Sequence, residues 1–235
     1  MRLSLIFLLL ATWAMAQGPG VTPSTCPPGV HTIADCPESG CGDIGDAFLN
    51  LSKNRTDIPA PGAVQDLSIT DLASIPQPAS WKTGTARDSI VDTGREGTPV
   101  RLVGRLKIVK REHKETCNCE LNSVTDTDLH LVVVRKLSDP EEKSVTFEIT
   151  PRVRAAGHPN WVFHQVLPLQ GKLLRVTGWL MLDTGHLHPS SLLPGEHPRT
   201  SLKRLTHWEI HPVTKLEVCH STITACKAGQ GWQEF

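Results

Sequence analysis

Two histidines flank a glutamate at intervals of two in His207-x-Glu209-x-His211, and an extended chain carries all three side chains on one face. Imidazole with carboxylate is a donor set suited to zinc, iron or manganese, and the same groups can act as general base and acid. Asp126-x-Asp128-x-His130 repeats the spacing at what reads as a strand entry. Asp126, Asp128, His130, Glu209 and His211 are therefore the candidate ligands of a divalent metal. The competing reading is cross-strand pairing, in which Glu209 meets Arg152 or Arg175 and nothing is bound.

Alternation defines the elements that must hold these residues. Leu205–Val218, LTHWEIHPVTKLEV, places His207, Glu209, His211, Val213, Lys215 and Glu217 outward, and Trp208, Ile210, Pro212, Leu216 and Val218 mostly toward a core. Val100–Lys110 turns Val100, Leu102, Gly104, Leu106 and Ile108 inward and Arg101, Arg105 and Lys107 outward. Asp128–Arg135 buries Leu129, Leu131 and Val133 and leaves His130 outside, and Ser144–Thr150 buries Val145, Phe147 and Ile149 with Glu148 outside. Lys172–Leu182 repeats the first strand, with Gly178 at its middle and Arg175, Thr177 and Trp179 outward. Glycine inside a strand marks a bulge or sharp bend. Between the third and fourth strands, Pro151, Pro159 and Pro168 leave room for a short helix over Asn160–Leu167.

Five strands, two of them bent at glycine, with a helical connector between the third and fourth, predict an all-β fold: a five-stranded OB-like Greek-key barrel over residues 100–218. Residues 219–235 form a tail. The loop Asp183–Lys203 carries His186, His188 and His197.

Ahead of the barrel, residues 1–16 have the order of a secretory signal peptide: Arg2, an apolar run to Trp13, then Ala14-Met15-Ala16. That run is too short to span a bilayer, so no transmembrane segment is expected and the mature protein is secreted or periplasmic. Residues 17–99 hold 10 Gly and 10 Pro and carry 10 acidic against 5 basic side chains, the composition of a largely irregular leader. One short helix fits Gly42–Asn54, capped by Asp46, with Phe48, Leu49 and Leu51 as its docking face. Asn50-Leu-Ser and Asn54-Arg-Thr match the glycosylation sequon, a triplet that arises often by chance.

The 7 cysteines fall into three clusters, Cys26, Cys36 and Cys41, then Cys117 and Cys119, then Cys219 and Cys226. In an exported chain they point to disulfides, and the odd count leaves one thiol over. One bridge is expected within the front cluster, and others tying the first hairpin or the tail to the barrel. Cys117-Asn-Cys119 also admits a structural metal as a competing use.

The segments LNLSKNRTDIP, CNCELNSVTDTDLHLVVV, VTFEITPRVR, HPNW, RVTGWLMLD and THWEIHPVTKLEV resemble a group of uncharacterised exported bacterial proteins of OB-like appearance, from about Leu49 to Val218. The resemblance implies the fold and compartment and no activity.

Outward residues of such a barrel are where a ligand would bind. His130, Glu148, Arg152, Trp179, Glu209 and His211 make the candidate ligand patch of an exported binding or interaction module of unknown ligand. A metal-dependent hydrolase of phosphodiesterase or nuclease type is the alternative, the carboxylates holding a cation while Arg152 and Arg154 steady charge on phosphate. Single-stranded nucleic acid is a further partner, through Arg101, Arg105, Lys107, Arg175 and Trp179; the chain's near-neutral charge and lack of tyrosine weigh against it.

Overall fold

Every second residue of Pro99–Arg111 is buried from Val100 to Leu106, as alternation requires of a strand with one face on a core. The phase then slips by one at a register shift between Leu106 and Ile108, so Val109 takes the inward place expected of Ile108. The computed structural model describes residues 26–41, 47–76, 87, 95–184 and 204–235. Among them the strands are β1 (Gln65–Leu67), β2 (Pro99–Arg111), β3 (Leu129–Val134), β4 (Val145–Ile149), β5 (Leu173–Leu182), β6 (Trp208–Cys219) and β7 (Trp232–Glu234). The helices are α1 (Ala47–Lys53), α2 (Ile69–Ser74), α3 (Pro151–Gly157), α4 (Phe163–Val166) and α5 (Ile223–Lys227). The signal-peptide segment, the Asp46 cap and the loop histidines His186, His188 and His197 lie outside the described residues.

β2 pairs antiparallel with both β3 and β5, β3 with β4, and β5 with β6, while β4 and β6 meet in parallel at Phe147 and Ile210. The circuit β2-β3-β4-β6-β5-β2 closes the sheet in the strand order of an OB barrel. β1 adds to the edge of β2 in parallel, and β7 adds to β6. Side chains including Leu102, Leu106, Leu131, Phe147, Leu174, Trp208 and Ile210 fill the interior.

The two strand glycines sit where no side chain fits. A Cβ at Gly178 would lie 2.3 Å from the Pro212 carbonyl oxygen, and one at Gly104 the same distance from Val133 Cγ1. Register shifts flank Gly178, and the re-phased β6 turns Val213 into the core instead of outward.

Pro151 starts a helix that its position as a breaker does not predict. At the first helical position proline loses nothing, and Thr150 caps the turn by accepting from the Val153 N–H at 3.3 Å. The expected connector helix is the single turn α4.

The described part of the leader is largely irregular, as its composition predicts, with two short helices and one short strand. α2 begins with a reciprocal capping box between Ser68 and Asp71 and sends Ile69 and Leu72 into the barrel core. α1 forms inside the expected span and buries Leu49 of the expected docking face, but Leu51 is 41% exposed, and the polar Asn50, Lys53 and Asn54 are buried as well. Burial of both asparagines removes them as glycosylation acceptors in the folded chain. Cys26–Cys41 is the front bridge, Cys219–Cys226 closes the tail, and Cys36–Cys119 fastens the leader to the turn after β2. Cys117 is left free and buried.

Candidate metal centre

Strand order brings the candidate residues together. His130 and Glu148 are direct cross-strand partners on β3 and β4, and the parallel contact at Phe147 and Ile210 puts Glu209 and His211 beside Glu148. Asp128 enters β3 one strand repeat before His130, so all five project from the outer face of β3, β4 and β6. That face is not exposed. Asp128, Glu209 and His211 have no solvent exposure and Glu148 is 2% exposed; α1 packs on β6 and on the 3-10 turn Thr116–Asn118, whose Asn118 donates to Asp128.

His211 Nδ1 lies 3.1 Å from Glu209 Oε1, and its Nε2 lies 3.6 Å from Asp128 Oδ2. Glu209 Oε2 accepts from Arg204 at 2.8 Å, and Arg204 also reaches Asp183 at 2.5 Å. His130 is clamped between two carboxylates, Nδ1 2.9 Å from Glu112 and Nε2 2.5 Å from Glu148 Oε1. Lys53 of α1 reaches Glu115 Oε1 at 2.5 Å, and Asn118 Nδ2 donates to Asp128 Oδ1 at 2.9 Å.

One pattern recurs in three carboxylates. In each of Asp128, Glu148 and Glu115, a protein donor holds one oxygen, from Asn118, His130 and Lys53 respectively, and the other oxygen is buried without a hydrogen bond. Glu148 Oε2 does approach His211 Nδ1 at 3.0 Å, but outside hydrogen-bonding geometry. His211 Nε2 is likewise unpartnered. Buried acceptors left this way are costly, and several around one point mark a place for a cation. Donor atoms of Asp128, Glu148 and His211 fall within 4.8 Å of one another, and so do those of Glu115, Cys117 and Asp128.

The electrostatics agree with a cation deficit. Burial, with the Glu115 carboxylate nearby, raises Asp128 to a pKa of about 7. For His211 burial opposes protonation, but the Glu148 carboxylate outweighs it and the pKa is raised to about 10. The same contest leaves His130 well above its ordinary value, against burial, through Glu148 and Glu112. Burial and Glu148 raise Glu209, while His130 and His211 outweigh burial to hold Glu148 well below the usual range.

Of the candidate metal ligands, the structure gathers Asp128 and His211, and Glu148 joins them from the ligand patch. His130 is an imidazolium donating through both nitrogens, which leaves it no lone pair for a metal. Glu209 orients His211 instead of ligating. Asp126 belongs to a turn, accepting from Ser123 and from the Ile33 N–H. Arg152 points away and donates to the Cys36 and Pro37 carbonyls, and Arg154 donates to the backbone of Thr125, Thr127 and Ile149. The expected pairing of Glu209 with Arg152 or Arg175 is replaced by Arg204, while Arg175 binds Glu217. Trp179 lies beneath Arg55, 3.4 Å from the ring centroid, and donates to the Asp57 carbonyl. It borders a cavity of about 30 Å³ that also touches Glu96, Met181 and His211.

The cations suited to a phosphate backbone are mostly engaged: Arg101 with Asp66, Arg175 with Glu217, and Lys107 with the Leu137 and Asp139 carbonyls. Alternation along strands could not reveal Lys53, Glu112, Glu115, Cys117, Asp183 or Arg204. They come from a helix, strand ends and turns: Lys53, Glu112, Glu115 and Cys117 are far from β6 in sequence, whereas Arg204, five positions from Glu209, lies before the strand begins and outside its alternation. The CxC pair was the one visible signal, and Cys119 is spent in a disulfide.

No family model matches this chain, and no curated protein does. A solved structure of asparaginyl-tRNA synthetase from Entamoeba histolytica is similar over 57% of this chain and 23% of its own, at 14% identity and a TM-score of 0.29. At that score the similarity carries no argument; the strand circuit carries the fold. No helix among the described residues is long and apolar enough to cross a membrane.

Proposed function

We propose that the chain is an exported OB-like binding module whose ligand on the covered face of the barrel is a divalent transition-metal ion. The observation that carries this is the grouping of Asp128, Glu148 and His211, which bring donor atoms within 4.8 Å of one another and each keep a buried polar atom without a hydrogen bond. Two carboxylate oxygens and an imidazole nitrogen suit zinc, iron or manganese. Glu209 on His211 Nδ1 supplies the carboxylate–histidine arrangement that fixes the tautomer and aims Nε2 at an ion. Three disulfides support an oxidising compartment, as the N-terminal segment does.

Burial favours binding over hydrolysis. A hydrolase must admit its substrate to the metal, whereas these donors lie beneath α1 and the Thr116–Asn118 turn.

Elemental analysis of the purified protein, refolded with zinc, manganese or iron where needed, tests the reading. Wild type should hold a stoichiometric ion and unfold at higher temperature with it than without. Asp128→Asn and His211→Ala should lose the ion with all three disulfides intact, and Glu209→Gln should weaken binding by about 10–100-fold. A wild-type protein that takes up no metal and shows no shift in unfolding temperature refutes the assignment.

A further inference from the structure

We propose that Glu115, Cys117 and Asp128 form a second metal position, selective for a thiophilic ion and joined to the first through the Asp128 carboxylate. The inference rests on the metal reading above and extends it to the identity and number of ions. Its starting point is the one free cysteine, which is 1% exposed and stands between two carboxylates in a protein whose other six cysteines are paired. Its sulfur lies within 4.8 Å of donor oxygens of Glu115 and Asp128.

A buried thiol could be simple packing. Two further observations point to a ligand. Glu115 Oε2 and Asp128 Oδ2 are buried and unpartnered beside it, and so is Oδ1 of the fully buried Asn118. Each of the two carboxylates has its second oxygen fixed by Lys53 or Asn118, as supporting groups fix metal ligands.

Metal binding at this position replaces the Cys117 S–H bond by a sulfur–metal bond and releases the proton to solvent, with no change in oxidation state. A thiolate with two carboxylates favours zinc or cadmium over magnesium or calcium, whereas the first position, without sulfur, discriminates less.

Cobalt(II) distinguishes the two positions because only a thiolate ligand gives an intense sulfur-to-cobalt charge-transfer band in the near ultraviolet. Wild-type protein titrated with cobalt should take two equivalents and develop that band. Cys117→Ser should take one equivalent and keep only the weak visible bands of an oxygen and nitrogen site, with its three disulfides retained. The wild-type spectrum needs no variant to fold and is decisive by itself. One equivalent without a charge-transfer band overturns the second position and leaves the first standing; no cobalt uptake at all overturns both.

Discussion

His211 shows how one side chain can be read in two ways. With both nitrogens facing carboxylates it is an imidazolium, raised to a pKa of about 10; with an ion on Nε2 it is neutral and keeps only the Glu209 bond. Asp128 has the complementary behaviour, since its raised pKa of about 7 means that it carries a proton over much of the acid range. Any ion entering between them must expel those protons. Apparent affinity should therefore fall by about one decade per pH unit from pH 10 to 7, while only the His211 proton competes, and by about two decades per unit below pH 7. Titration at several pH values checks the change of slope; an affinity independent of pH across this range contradicts the protonation states. The sign reverses for the metal-free protein. Both folded pKa values lie above the ordinary values of 3.8 and 6.5, so these two groups withdraw stability as pH rises through the windows ending near 7 and 10.

At the scale of elements, the site is a three-strand patch closed by a helix and a turn, and the closure depends on the covalent link Cys36–Cys119. α1 is only seven residues long, too short to be stable alone, and its polar face would not hold it to an apolar surface. What holds it is specific: Lys53 on Glu115, Asn54 Nδ2 on the Cys117 carbonyl at 2.8 Å, and a bridge between residues 83 apart in sequence. Closing a loop of that length is worth about 4–5 kcal/mol in the chain-entropy account. The double change Cys36→Ser and Cys119→Ser should lower unfolding stability by about that amount, read as a reduced denaturant midpoint. It should also accelerate metal loss to a chelator, because the cover over Glu148 and His211 is then held by non-covalent contacts alone, the Lys53–Glu115 ion pair among them. Unchanged stability and unchanged release would show that the leader is bound by packing instead.

For the whole molecule, leader and barrel share one hydrophobic core. Ile69 and Leu72 are 2% and 0% exposed and pack with residues from the barrel strands, and β1 extends the sheet beside β2. Limited proteolysis of the oxidised protein should accordingly leave a resistant core that contains Ala47–Ser74. A peptide bearing Cys36 should separate from it only after reduction. A stable metal-binding fragment that begins at Pro99 would show that the leader is an appendage.

Much of the barrel is legible along the chain because alternation is a local property: a strand with one face on a core must place apolar residues at every second position, and each of the five strands does so over most of its length. The bulges after Leu106 and beside Gly178 escape that reading because they answer to partner strands, as the 2.3 Å gap above Gly178 shows. Alternation also determined that Asp128, His130, Glu148, Glu209 and His211 would leave the barrel interior together. It could not determine what lies over them. Only the tertiary structure decided that the outward face is itself buried, that Arg204 and not Arg152 answers Glu209, and that Cys117 and Glu115 join Asp128. The physical reason is that hydrophobic pattern specifies which side of a strand avoids water, whereas partners for buried charge come from residues up to about a hundred positions away, brought near by chain closure.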